Sequence, residues 1–452
     1  MSKFTVAIIG AGLSGLALAI SLQRFAPDVD FEIYEGAAEL AEIGAGIGLA
    51  PRTWAMVQAL GIEDTLLKIS GDGDRPMISL VHRKSDQAEG VDFDRVEVTE
   101  RNYSFHRADL QNAFLQLVQP PRQVRLGKRV LAYEQSDDGI VLRFQDGTTA
   151  RCDVLFGCDG IRSVIRAAMY SQFADAAQRA GRPEEAAELR SHKAAVFSGE
   201  EMYRCLIRKD QLLPDELKNH PAISSSVLIV YCGKNKHLVT YPIAQGRIIN
   251  VGVGISIPGT EGTIYEGPWT SPAGKDDIVK GFGSWEPQVQ EIIKHVDSGL
   301  KWAINVVTKL PTFIQGRVAL VGDAAHAMCP HLGAGAGQCI EDAFMLAHLL
   351  ARPDITKANA STALQVYDEI RRPFTQIISE LARRRGQLHH LTAPQFADLT
   401  PELSATGEAL SMDQLWEVGK TMQQLRDWQD GSSVVEDVAG AMQRLDWILA
   451  GA

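Results

Sequence analysis

The sequence lacks several features that would each point to a partner or a compartment. It contains no uninterrupted apolar stretch of about 18 residues, so no transmembrane helix and no membrane partner is expected. It has no long basic run: 45 Lys and Arg stand against 56 Asp and Glu, a net charge of −11. Phosphate backbones are bound by clustered cations, so no nucleic acid partner is expected. The six cysteines, Cys152, Cys158, Cys205, Cys232, Cys329 and Cys339, form no CxxC pair. They read as free thiols in a reducing, cytoplasmic compartment, and no metal is expected. No internal repeat is visible.

What is present describes a globular chain. A length of 452 residues exceeds one ordinary core, and 45% hydrophobic with 22% charged residues supplies two or three domains. The opening MSKFTVAIIGAGLSGLALAI is basic and then apolar, like a signal peptide, but three glycines interrupt it. It reads better as strand, turn and helix. Residues 4–9 suit a buried parallel strand, Leu13 to Phe25 a helix packed on a sheet, and Phe31 to Tyr34 a second strand. That is one βαβ unit in about 35 residues.

Further along, the DG at 146–147 predicts a hairpin turn. The polar, Ala-rich segment 171–193 predicts a solvated helix or an ordered insertion. Alternating runs over 195–310 predict a mixed or antiparallel sheet, and residues 338–452 read mostly as helices. Trp416, Trp428 and Trp447 fall in those helices and read as core anchors. The expected fold class is α/β: a discontinuous Rossmann-like domain over 1–190 and 311–370, an inserted mixed-sheet substrate domain over 191–310, and a C-terminal helical segment over 371–452. Part of the first segment would add to the substrate sheet.

Three blocks carry chemistry. In the first, Gly10, Gly12 and Gly15 allow a tight turn, the approach of a pyrophosphate, and close packing of helix on strand. Leu13 and Ser14 open the helix, whose N–H groups and dipole favour phosphate. Glu35 lies 35 − 15 = 20 residues beyond the last glycine, where a carboxylate accepts from ribose hydroxyls. Alone, this block fits any dinucleotide. In the second, a strand delivers Asp323 to the start of a small-residue segment, where it either binds ribityl or ribose hydroxyls or caps a helix. The third, Cys158-Asp159-Gly160-Ile161-Arg162-Ser163, comes after another strand and by itself would be a turn and a capped helix.

Together with EIGAGIGLAP at 42–51, HRADLQNAF at 106–114 and GRVALVGDAAHAMCPHLGAGAGQCIEDA at 316–343, these blocks resemble the class A flavoprotein aromatic hydroxylases. This is the family with the para-hydroxybenzoate hydroxylase fold, and the resemblance is greatest to its salicylate hydroxylase branch and fungal phenol-hydroxylating relatives. It runs over most of residues 4–390. It implies bound FAD, NADH or NADPH as a transient donor, and dioxygen as co-substrate. By position, Glu35 would hold the adenosine ribose, Asp323 the ribityl–pyrophosphate region, and Arg107 the pyrophosphate or ribityl chain. The Asp159 block would serve the FAD or nicotinamide pyrophosphates. Gly46, and Ala336 with Gly337 at a helix start, would approach the flavin, beside a Pro330 loop that flanks the oxygen-reactive pocket. The family commonly has Asn where this sequence has Arg52.

An electron-rich ring must be ionised or polarised, so a phenolate partner is expected from Arg, His or Tyr. Arg204 is the candidate anion partner, with Arg247 a second, and His237 and Tyr241 the candidate pocket-lining polar groups. Strand alternation puts His237, Val239 and Tyr241 on one face. His331 reads as a packing or flavin-edge residue, with a pocket base as the sharper alternative. The expected reaction is hydroxylation of a phenolic acid, salicylate to catechol with decarboxylation being the best fit. Hydroxylative dearomatisation of an alkylated phenol or aldehyde is the alternative. A flavin halogenase is disfavoured because Lys301-Trp302-Ala303-Ile304 does not match its Trp-x-Trp-x-Ile-Pro stretch. A single-Rossmann NAD dehydrogenase would leave the Asp159 and Asp323 blocks without a role, and a non-catalytic flavin-binding protein stands as the rival from another class. The chain is expected to act as a monomer or homodimer on a small phenolic substrate.

Overall fold

The computed structural model describes residues 2–40, 46–70, 79–97, 103–119, 124–212, 217, 220–224, 227–243 and 246–451. Residues 42–45 of the EIGAGIGLAP block lie outside the described residues.

Strands rich in apolar and β-branched residues form the first sheet because both of its faces are covered. Its six strands run in the order Ile314–Gln315, Val318–Leu320, Val154–Gly157, Thr5–Ile9, Asp30–Tyr34, Val124–Arg125. Thr5–Ile9 sits centrally, pairing in parallel with Asp30–Tyr34 on one side and Val154–Gly157 on the other. Only the Ile314–Gln315 edge is antiparallel. The helices Leu13–Phe25 and Gly335–Ala351 pack against each other in the same core. The sheet is therefore assembled from three distant parts of the chain, and each inner strand ends where one motif begins: Ile9 before Gly10, Gly157 before Asp159, Leu320 before Asp323. Ligands of open parallel sheets bind beyond these carboxyl ends.

The second sheet has eight strands, ordered Thr270–Gly274, Ser298–Val306, Val196–Arg208, Ile248–Ser256, Lys236–Ile243, Val227–Gly233, Ser79–Lys84, Val91–Val96. It is mixed, with one parallel pairing between Val227–Gly233 and Ser79–Lys84. Its last two strands come from residues 79–96, between elements of the first sheet. A two-stranded ribbon of Gly46–Leu49 and Tyr103–His106 lies in the same connecting region.

The hairpin turn at Asp146-Gly147 forms as expected, with Gly147 at φ +80° and strands Gly139–Phe144 and Thr149–Cys152 on either side. The Ala-rich segment folds as two helices, Val164–Arg179 and Pro183–Ser191. All six cysteines are buried and free.

The C-terminal residues differ from expectation in two respects. One helix, Ala360–His389, runs unbroken across residues 370 and 371. The helices after it divide between two cores: Leu415, Val418 and Met422 pack with Phe93 of the mixed sheet, whereas Val434, Val438 and Leu445 join the core of the first sheet. The reading of three tryptophans as core anchors fails for two. Trp416 and Trp447 are more than half exposed, because those cores are filled by the aliphatic side chains on the other faces of their helices. Arg444 covers the Trp447 ring at 4.5 Å. Trp428 is half-buried and meets Phe374 edge-on.

Candidate active site

The Gly-rich turn is held before any ligand arrives. Gly10 has φ +104°, and a Cβ there would stand 2.4 Å from the Cys158 carbonyl oxygen, so only glycine fits. A Cβ at Gly15 would stand 2.0 Å from the Gly10 carbonyl oxygen. Gly12 is the reverse case: nothing lies within 4 Å of a Cβ built on it. It precedes the helix Leu13–Phe25, whose N-terminus carries no side-chain cap and no acidic residue in its first turn. Open space in front of uncapped N–H groups fits a pyrophosphate.

Glu35 joins this turn directly. Its carboxylate accepts from the Ala11 N–H at 2.8 Å and the Ala37 N–H at 2.7 Å. On the other side, the buried Gln111 amide donates to the Ala11 carbonyl at 2.9 Å. Sequence reasoning misses Gln111, because its partner lies 100 residues away. Arg107 begins the same helix, Arg107–Leu117, and is half-buried. Ser14 crosses to the second motif: a Cβ at Gly322 would stand 2.1 Å from its Oγ, and Gly322 has φ +63°.

Asp323 is exposed although Gly322, Ala324, Ala325 and His326 around it are buried. It begins the short helix Asp323–His326, so its carboxylate is left facing outward at the edge of the sheet. A network beneath it holds the turn. The Gly322 N–H donates to Asp342 Oδ2 at 3.0 Å, and His326 Nε2 meets the same oxygen at 2.6 Å. Arg371 binds both Asp342, at 2.8 Å, and Glu341, at 2.9 Å. Arg52 is part of this network through Glu341 at 3.2 Å and also pairs with Asp437. The departure at position 52 thus has a structural role: a buried cation balancing a buried carboxylate.

Asp159 faces its own helix. Oδ2 accepts from the Val164 and Ile165 N–H groups at 2.7 and 3.1 Å. Oδ1 is shielded and has no hydrogen-bond partner among the described residues, and burial pushes the carboxyl up from its usual range. Arg166 ties this block to the Asp323 block, donating to the Ala324 carbonyl at 2.8 Å and the Ile161 carbonyl at 2.6 Å.

Pro330 opens a single turn, Pro330–Leu332, that ends at Gly333 with φ +63°. The helix Gly335–Ala351 comes next, again with no side-chain cap, and nothing lies within 4 Å of a Cβ built on Gly333 or Gly335. Ala336 is half-buried and Gly337 buried, where a Cβ would stand 2.4 Å from Thr53 Oγ1. A second uncapped N-terminus beside open glycines fits the edge of a flavin ring, on which it would favour negative charge.

Across from it lies the mixed sheet. Arg204, on Val196–Arg208, lays its guanidinium over Trp302 at 5.0 Å. It makes no ion pair or hydrogen bond among the described residues, and burial lowers its pKa while Tyr241 works against that. Tyr241 is half-buried, its phenol pushed up by burial. A Cβ at Gly46 would stand 3.1 Å from its hydroxyl. Arg204, Tyr241, Gly46 and Arg107 therefore share one region. Arg247 is exposed and its carbonyl accepts from the Lys209 N–H, so it sits apart. His237 lies on the same strand face as Tyr241, with its Nδ1 2.7 Å from His390 Nε2. His331 meets Glu200 at 2.7 Å.

The residues fit FAD: two uncapped helix N-termini, open glycines, and an outward carboxylate stand at the carboxyl edge of one sheet. Comparisons with known proteins agree. A model of the FAD binding domain matches residues 3–209 and 291–382. Salicylate hydroxylase of Pseudomonas putida is 29% identical over 98% of this chain and 95% of its own length. The 6-methylsalicylate 1-monooxygenase of Aspergillus terreus is 30% identical over 84% of this chain and 82% of its own. A solved salicylate hydroxylase substrate complex superposes with a TM-score of 0.79 at 26% identity, covering 97% of this chain and 98% of that one. Among the described residues no helix is long and apolar enough to cross a membrane. The chain belongs to the class A flavoprotein hydroxylases, the FAD-dependent aromatic monooxygenases.

Proposed function

We propose that the chain hydroxylates a phenolic aromatic acid at the carbon bearing its carboxylate, converting salicylate to catechol with release of carbon dioxide. One observation carries the reading. Arg204 is a half-buried cation, desolvated enough to lower its pKa, with no anionic partner among the described residues, beside the Tyr241 hydroxyl. A buried guanidinium without a counter-ion is costly, and an anionic substrate offsets that cost.

FAD supplies the redox chemistry, drawing electrons from NADH or NADPH and activating dioxygen. The protein's part is positioning and charge. Arg204 would hold the phenolate or carboxylate oxygen, and the Tyr241 hydroxyl would donate to the same oxygen, keeping the ring electron-rich. His237 would border this pocket from its strand face, and the Pro330 turn would close the side nearest the flavin. Asp323, Glu35, Arg107 and the turn at residues 10–15 would hold the FAD. The reaction balances as salicylate, NADH, dioxygen and two protons giving catechol, carbon dioxide, NAD⁺ and water.

The test is NADH oxidation and oxygen uptake with 2-hydroxybenzoates and alkylated phenols, with product identification. Salicylate-stimulated oxidation that yields catechol is expected. Fast oxidation yielding only hydrogen peroxide would exclude salicylate, and a hydroxy-dienone from an alkylated phenol would replace it with the dearomatisation reading.

A further inference from the structure

Four separate segments bring histidines and a carboxylate to one buried point. His237 comes from Lys236–Ile243, His331 from the turn after Pro330, and His389 and His390 from the end of the helix Ala360–His389 and its cap. Glu200 comes from Val196–Arg208, where the pairing with Ser298–Val306 shifts register between Phe197 and Glu200. Neither the sequence motifs nor the comparisons assign these five side chains a joint role.

We propose that His237, His331, His389 and Glu200 form a binding site for a divalent transition-metal ion, of which zinc is the best match.

The geometry is specific. The ring centres of His237, His331 and His389 form a nearly equilateral triangle, 5.5, 5.4 and 5.3 Å on its sides. Three imidazoles on one tetrahedral zinc, with bonds of about 2.0–2.1 Å, place their ring centres roughly 5.2 Å apart. Their candidate donor atoms all lie within 4.8 Å of one another, so small side-chain rotations close the site. Glu200 lies 2.7 Å from His331 Nε2 and groups with His237 and His390 within the same reach, so it brings an anionic donor to the edge of the three imidazoles.

Unsatisfied polar atoms converge there. His389 is 4% exposed, and among the described residues neither of its ring nitrogens has a hydrogen-bond partner. Among the described residues Glu200 Oε1 is likewise buried without a hydrogen bond, with His390 Nε2 3.6 Å away. Orphaned buried groups carry a free-energy cost that a shared cation relieves. His390 acts as the outer support. With its proton on Nδ1, its Nε2 accepts from His237 Nδ1–H at 2.7 Å, leaving the His237 Nε2 lone pair for the metal.

Two glycines make the room. A Cβ at Gly254 would stand 2.1 Å from His237 Cε1 and 2.7 Å from Glu200 Oε1, and one at Gly386 would stand 2.3 Å from His331 Cδ2. The metal would bind the mixed sheet, the flavin-side turn and the long helix together.

The test is metal content by plasma mass spectrometry after equilibration with zinc chloride and gel filtration, on FAD-loaded protein. About one zinc per chain is expected. The double variant Glu200→Gln/His389→Ala should lose at least nine-tenths of it, and His348→Gln, in another helix, none. Zinc no higher than in the buffer would overturn the proposal, as would full retention by the double variant. Should that variant fail to fold, zinc-edge X-ray absorption on the wild-type protein decides. Three imidazole nitrogens and one oxygen support the site, and sulfur donors or oxygen donors alone refute it.

Discussion

Asp342 and Arg371 meet in the interior at 2.8 Å, Oδ1 to Nε, beneath the turn that presents Asp323. Burial alone would raise the Asp342 carboxyl, but His326 and Arg371 overrule it and bring it down to about 2. A carboxyl depressed on folding contributes stability above its unfolded pKa, and that contribution is lost as pH falls through the folded one. At neutral pH it is fully present. Asp342→Asn leaves Arg371 and Glu341 in place and unbalances them. A loss of about 3–5 kcal/mol in urea unfolding is expected, since one partner of a buried pair is removed. An unchanged midpoint would show that the network is not under electrostatic tension.

Glu35 holds the glycine-rich turn through the Ala11 N–H, and its loss is expected to weaken FAD binding. Glu35→Ala removes a charge-assisted hydrogen bond of about 1.5–3 kcal/mol, so FAD should bind roughly 10–100-fold more weakly. Gln111→Ala, a neutral partner of the same residue, should cost roughly tenfold or less. Quenching of flavin fluorescence on titration measures both. Equal effects would mean that the turn, not the charge, governs affinity.

For Arg204→Gln the expected result is retained FAD and a fall of roughly 10–100-fold in kcat/KM for an anionic ring, from loss of a charged contact of about 1.5–3 kcal/mol. Steady-state kinetics on the flavin-loaded variant tests this. Wild-type kinetics would remove Arg204 from the pocket.

Acid should destabilise the protein through His82. Burial lowers it to about 4 against contact with Asp94, and Arg385 adds to the lowering. Asp94 sits 2.7 Å from Nδ1 and Arg385 donates to Nε2 at 3.2 Å, so the ring is held neutral. Below pH about 6.5 the unfolded histidine takes up a proton and the folded one does not, so stability falls from there toward pH 4 and then levels. The fall due to this residue is on the order of 3 kcal/mol by pH 4. His82→Asn should flatten that part of the curve in unfolding measured from pH 7 to 4.5.

The six thiols are buried, and burial raises their pKa values, Cys152 to about 12. The native protein should be nearly inert to a thiol-specific disulfide reagent, and all six should react after unfolding. Rapid labelling of the folded form would refute their burial.

How much the sequence reveals depends on how local the physics is. Gly10, Gly12 and Gly15 are readable because a turn restricts its own residues, and the strands ahead of Asp159 and Asp323 are short apolar runs. Family-wide blocks then convert a dinucleotide turn into an FAD site. Gln111, Asp342 and Arg371 are not readable, since each acts on a partner between 20 and 100 residues away. Arg52 stands out as a departure, but its carboxylate partners are brought to it only by the fold. The histidine pair at 389–390 looks like the end of a helix and gains meaning only from Glu200, His237 and His331 arriving on three other segments. Trp416 and Trp447 mislead because helical periodicity gives spacing but not the direction of the core.

The mixed sheet borrows its two last strands, Ser79–Lys84 and Val91–Val96, from the middle of the segment that also builds the flavin-side sheet. The backbone consequently shuttles between the two bodies more than once, and no single cut yields a self-sufficient half. Recombination between relatives at one junction would sever a sheet. Substrate preference in such an architecture is therefore more readily changed by replacing individual side chains in place than by transplanting one continuous stretch of chain.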